Sequence, residues 1–284
     1  MDVSTGPVGP VASAAPLLAA TSDTGTVGPL GLAGSLVLVA VVVAVSRWRR
    51  LDLGREIVVA CVLALVQLLL VGVGLGLVVG DRRPLWPSWI WVAVMLVYAA
   101  WTTARRAPEV SGLFGLALVA LSAALVVSLS VVFGLGVFDL TSRTLVPTAG
   151  LIVGNALTSI VVVARRTIED LRDSRPEVEA RLALGLPAEE AARPHLRSAL
   201  RTALSPQVER TRAVGLVALP GAMTGLLLAG VDPLVAVAVQ AVVMYLVLGS
   251  AAVVGAVLAL GLVPRLFTSD HRLRPLPRPA DAGS

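Results

Sequence analysis

The sequence predicts an all-α polytopic membrane protein with about seven transmembrane helices and a cytoplasmic helical insert. Three observations carry this reading. The 284-residue chain is 56% hydrophobic and only 14% charged, with mean hydropathy +0.88, whereas soluble domains carry about a quarter charged residues. Charge-free runs cover 24–46, 57–80, 84–104, 110–138, 144–164, 213–231 and 233–264. Each approaches or exceeds the roughly 20 apolar residues needed to cross a bilayer core. The third observation is a charged island, Arg165 to Arg212, in which 48 residues hold ten arginines and eight acids.

Taken in order, residues 1–28 are rich in Pro, Gly, Ala, Ser and Thr and lack a basic n-region. They read as a disordered outer tail rather than a signal peptide. Residues 29–164 hold spans one to five, joined by connections too short to fold alone. Residues 165–212 form the insert, 213–264 spans six and seven, and 265–284 a cytoplasmic tail with Pro275, Pro277 and Pro279. The last run is long enough to tilt, overhang or break at Gly249, Gly255 or Gly261.

All 23 basic residues are arginine. With seven spans, twenty of them fall on one side, and Arg82, Arg83 and Arg143 on the other. The positive-inside rule then puts the N-terminus outside and the C-terminus in the cytoplasm of a plasma (inner) membrane. Trp86, Trp89 and Trp91 cluster where the third span enters from the outer face, as an interfacial belt would. The high pI is thus a statement about topology and gives no reason to expect nucleic-acid binding.

Within the spans, small residues recur four apart: Gly72, Gly76 and Gly80, then Gly150 and Gly154, then Gly221 and Gly225. This spacing lets helices approach closely, within one bundle or across a dimer seam. In the insert, Ser174-Arg-Pro-Glu177 fits a capping box, and Gly185 a helix stop. Pro187-Ala-Glu-Glu190 starts a second helix with acids in its first turn. Leu196, Leu200 and Leu204 share one face of it, and Arg193, Arg197 and Arg201 another. The result is an amphipathic hairpin along the cytoplasmic surface, fit to cover the bundle against anionic lipid or to dock a partner.

The absences exclude several functions. Without lysine there is no P-loop, so the chain cannot bind ATP by that route. No His-Glu-x-x-His and no cysteine pair occur, Cys61 being the single thiol, and no metal site or cofactor is expected. No carboxylate lies well inside a span, which argues against an ion-coupled carrier. Polar groups inside spans are few: Gln67, Asn155, Thr158, Ser159, Thr224 and Gln240. Each must find a partner, either another helix or a translocation route, because an unpaired group in hydrocarbon costs several kcal/mol. Asn155 and Gln240 are the best pathway candidates, since an amide both donates and accepts. In the sixth run, Pro220 removes a backbone donor and Gly221 loosens the next step. The break suits a gating hinge or a binding site equally.

Several strings resemble the iron-export-type ABC transporter permease family, which includes plant subunits linked to aluminium tolerance. They are Gly154-Asn155-Ala156-Leu157, Glu179-Ala-Arg-Leu-Ala-Leu-Gly185, Arg197-Ser-Ala-Leu200, Ser205-Pro206, Leu219-Pro-Gly-Ala-Met-Thr-Gly225 and Val239-Gln240. They run in the family's order from about 150 to 264, while spans one to five match in hydropathy and length. The resemblance implies a non-enzymatic permease subunit that dimerises and works with a separate ATP-binding subunit. It marks Glu179, Ala180 and Gly185 as a coupling motif, with Arg193, Arg197 and Arg201 touching or supporting the ATPase. It marks Asn155, Pro220, Gly221, Met223, Thr224, Gly225 and Gln240 as pathway or gating residues. Val239 stands where the family pattern has an aromatic residue. The spans offer only Cys61, Met95, Met223, Met244 and neutral amides to a metal, so free iron as substrate comes from the family and not from the ligands. The alternatives are an ATP-independent carrier or channel with the insert as lid, and a scaffold recruiting a soluble partner.

Overall fold

The structure, a computed structural model, describes residues 29–49, 53–78, 84–215, 219–268, 270 and 272–276. Its elements are α1 (Pro29–Trp48), α2 (Gly54–Val78), α3 (Trp86–Arg106), α4 (Leu113–Gly134), α5 (Ser142–Asp173), α6 (Arg175–Ala183), α7 (Ala188–Ala213), α8 (Gly221–Leu228), α9 (Pro233–Gly261) and α10 (Val263–Leu266). Among the described residues there is no strand, and Phe267 and Leu273 form an isolated bridge. Five helices are long and apolar enough to cross a membrane: α2, α3, α4, α5 and α9. α1 contributes a shorter apolar stretch, Leu36–Trp48.

The chain divides into two compact units. The first holds α1 and α2, packed as a pair, with Val43 3.7 Å from where a Cβ on Gly54 would lie. Most of their large apolar side chains, Leu36, Leu38, Leu68 and Val73 among them, are exposed, as side chains facing lipid or another chain would be. The second unit holds the remaining helices, α8 up to Leu227. Its core is a bundle of α3, α4, α5 and α9, in which alanine is the pivotal residue type. Ala99, Ala100, Ala117, Ala120, Ala124, Ala149 and Ala156 are all buried. Small side chains let backbones close up where lipid supplies no hydrophobic drive, and Leu121, Leu145, Ile152, Ile160 and Leu258 fill the layers between.

Of the described glycines singled out by their spacing, Gly150 makes a close approach within the chain. A Cβ at Gly150 would come within 3.1 Å of Met95, at Gly255 within 3.2 Å of Leu200, and at Gly261 would collide with Leu116. Gly72, Gly76, Gly154, Gly221 and Gly225 have open space around them, and Gly80 lies outside the described residues. Close contact therefore falls where α5 meets α3 and where α9 crosses α4 and α7. α9 does not break at Gly249 or Gly255 and runs on to Gly261. Asp232 starts it, its Oδ1 accepting from the Leu234 and Val235 amides at 2.9 and 3.4 Å, with Pro233 in the first turn. That is the cap chemistry an apolar helix needs at a polar boundary.

α5 is the longest element at 32 residues, or about 48 Å at 1.5 Å per residue. It continues without interruption through Arg165, so bundle and insert share one helix. Arg165 Nε donates to the Arg106 carbonyl at 2.8 Å, joining α5 to the end of α3. The capping box expected at Ser174 does not form. Only Ser174 separates α5 from α6, and its ψ of 22° keeps it near helical geometry, whereas a capping side chain needs an extended residue. Glu177 instead accepts from Arg181 at 2.6 Å.

Candidate functional site

Two places gather the polar side chains. The first is the α6–α7 hairpin. α6 ends in a Schellman turn, with the Leu186 amide bonded to the Arg181 carbonyl at 3.2 Å and the Gly185 amide to Leu182 at 3.0 Å. Gly185 has φ +87°, a left-handed conformation that glycine adopts without cost and other residues resist. The turn lifts Leu184 until 80% of it is exposed. Glu179, Ala180 and Ala183 are exposed beside it, with Glu179 bonded to Arg175 at 2.7 Å.

α7 is anchored behind that turn. Ala191, Ala192, Leu196, Ala199 and Ala203 are buried, and α7 packs on both α5 and α9. It passes through Pro194 and Pro206 without ending. The carbonyls these prolines free belong to exposed Glu190 and Thr202, which water can satisfy. Arg193, Arg197 and Arg201 are exposed on the helix and make no ion pair or hydrogen bond among the described residues. The arginine ladder is thus a separate feature from the Leu184 tip. Arg193 and Arg197 turn toward α9, where they line a groove.

The second place is a cavity of about 440 Å³ between α5, α7, α8 and α9. It brings together four of the expected pathway residues: Asn155, Pro220, Gly221 and Gln240. Met223, Thr224 and Gly225 lie further along α8 and do not line it. Gln240 is 5% exposed, and its Oε1 has no hydrogen-bond partner among the described residues. An unmet buried acceptor costs about 1–3 kcal/mol. Asn155 Nδ2 donates to the Leu151 carbonyl at 2.8 Å, one turn back.

Pro220 does not kink a long helix as the sequence suggested. α7 ends at Ala213 and α8 begins at Gly221, so Pro220 stands at the entry to a new eight-residue helix. Its carbonyl receives the Thr224 amide at 3.0 Å and the Thr224 hydroxyl at 3.2 Å. The interrupted backbone borders the cavity, the setting in which a break at membrane depth is tolerated.

Sequence reasoning missed Gln207, Arg210 and Thr211, which line the cavity from the last turns of α7. Their 207/210/211 spacing is one helical face, a signal hidden among the many polar residues of the insert. Met244, one turn beyond Gln240, also lines the wall. The lining offers three side-chain amides, one hydroxyl, one guanidinium and a thioether. It includes no carboxylate, imidazole or thiolate, and among the described residues no group of three such side chains could hold a metal ion. The chemistry suits a polar or anionic solute better than a bare cation.

A bundle of helices of membrane-crossing length defines a multi-pass membrane protein. The chain belongs to the uncharacterised protein family UPF0014, whose pattern matches residues 29–267. It is 36% identical to the UPF0014 membrane protein STAR2 of Oryza sativa over 87% of this chain and 86% of that one. It is 30% identical to the protein ALUMINUM SENSITIVE 3 of Arabidopsis thaliana, over 85% and 88%. With the probable iron export permease protein FetB of Escherichia coli it shares 28% identity over 85% and 93%. No solved structure matches the chain significantly.

Proposed function

We propose that this chain is the membrane-spanning permease subunit of an ABC exporter, a homodimer working with a separate ATP-binding subunit. The observation that carries the reading is the Leu184–Gly185 tip, a bare apolar turn held rigidly on α7 and continuous with the bundle through α5. The tip, with Glu179 and Ala180, seats in the ATPase; Arg193, Arg197 and Arg201 support it from α7. Seven passes follow if α1 makes the first and the interrupted segment around α8 the sixth. The N-terminus is then outside and the tail beyond Arg265 cytoplasmic. The Gln240 cavity lies on the route, with Pro220 and Gly221 as its joint and Met223, Thr224 and Gly225 moving with them. Its cargo is a metal chelate or another small polar solute, a reading supported by FetB's printed name and qualified by a lining whose one charged group is the Arg210 guanidinium.

Purification in mild detergent from the native host is expected to bring an ATP-binding protein with the chain. If none comes along, and liposomes holding this chain alone conduct solute, a carrier or channel is the better description. Gln240→Leu separates route from packing. It removes an acceptor that no neighbour satisfies, so thermal stability should hold or rise by up to about 2 kcal/mol, while transport falls about tenfold or more. Unchanged transport would assign Gln240 to packing alone.

A further inference from the structure

We propose that the groove between α7 and α9 binds the headgroup of an anionic phospholipid, with Arg193 and Arg197 as its phosphate ligands. The groove measures about 300 Å³. Arg193 and Arg197 form one rim, four residues apart on one face of α7. Neither has an ion pair or hydrogen bond among the described residues, although Arg166, Arg172, Arg175, Arg181 and Arg212 all pair with nearby acids. The floor is apolar, made by Leu196 with Leu260 and Val263.

The position of the groove chooses the occupant. Leu260 lies on a helix of membrane-crossing length, one residue before its end, and is 81% exposed. It therefore faces hydrocarbon, and the groove opens where the apolar surface of α9 meets the first charges. A soluble anion gains little from exposed guanidiniums in water. A phospholipid reaches them already anchored, its acyl chains lying along Leu260 and its phosphate between the arginines, where a planar guanidinium bonds two oxygens at once. Glu189 on the same rim sets the balance: two cations against one acid leave the groove net positive. Basic pockets between membrane helices at an anionic leaflet follow this logic. Lipid held here would pin α7 to the membrane surface.

The proposal rests on α9 crossing the bilayer and not on the ABC assignment, so the two can fail separately. The test takes the full chain, extracted from vesicles of equal phosphatidylglycerol and phosphatidylcholine, and weighs the lipids it retains by native mass spectrometry. The wild-type chain is expected to enrich phosphatidylglycerol. Arg193→Gln with Arg197→Gln should lower that preference about fivefold for each guanidinium removed. Glu189→Gln should raise it, a gain that a misfolded chain cannot imitate. Four results would overturn the proposal: equal retention of both lipids by the wild type, an unchanged preference in the double variant, a drop with Glu189→Gln, or loss of the preference to millimolar inorganic phosphate. The last would make the groove a site for free anions. A double variant that changes oligomeric state while keeping its lipid preference would equally refute it and assign the groove to a second copy of the chain.

Discussion

A chain carrying Gly185→Val is expected to reach the membrane in normal amount and to lose transport. At φ +87° a β-branched residue strains the turn by about 1–2 kcal/mol. The strain falls on an exposed loop and stays well below the 5–15 kcal/mol that holds a typical fold. The bundle survives, while the Schellman turn that presents Leu184 does not. Gly185→Asn should keep a large part of the activity, because asparagine tolerates left-handed geometry. Leu184→Glu leaves the turn intact and charges its 80%-exposed tip, so it should release the partner ATPase as completely as valine does at 185. The comparison is made by counting membrane-inserted protein, co-purifying ATPase and solute flux on the same preparations. Full flux in Leu184→Glu would remove the tip from the mechanism whatever Gly185→Val does.

The second large effect is structural. Gly261→Ala places a methyl against Leu116, which is itself buried on α4, and overpacking of this kind costs about 1–3 kcal/mol. Loss of unfolding temperature in detergent is the readout. Pairing the change with Leu116→Ala should restore part of the loss, so that the double variant is more stable than the two single effects predict when added. Strict additivity would mean that the α4–α9 crossing has room that the structure does not show. The same substitution at Gly154 or Gly225, where no atom lies within 4 Å, is the natural control.

Much of this was legible in the sequence because lipid simplifies the code. A run without charge must be helical inside a bilayer, and so α2, α3, α4, α5 and α9 could be read from spacing between charges. The Gly185 stop and the acidic first turn of α7 were equally plain, since both answer local backbone needs. What could not be read depends on neighbours. Ser174 looks like a cap but is held near-helical because α5 flows into α6. Pro194 and Pro206 look like terminators, but they sit where the freed carbonyls meet water. The sixth run looks like a span with a kink, but Pro220 instead starts a short helix at the cavity. The cavity itself was half legible. Its amides Asn155 and Gln240 stood out as polar groups among apolar ones, while Gln207, Arg210 and Thr211 hid among the many polar residues of the insert. Glycine spacing picked out one close approach, Gly150 against Met95, while those of Gly255 and Gly261 depend on neighbours on α7 and α4 that spacing does not reveal.

The unbroken course of α5 has a mechanical consequence. A joint at the bundle's edge would absorb small movements of the hairpin as local bending. Past Pro147, near its start, α5 runs on as one rod to Asp173 and has no such slack, and tilting a helix of about 48 Å by 5° displaces one end by about 4 Å relative to the other. Asn155 sits near the middle of that lever, so a push on the hairpin is felt at the cavity wall as a fraction of the same stroke. The stiffness runs both ways: a push at the cavity wall would lean on the hairpin in turn.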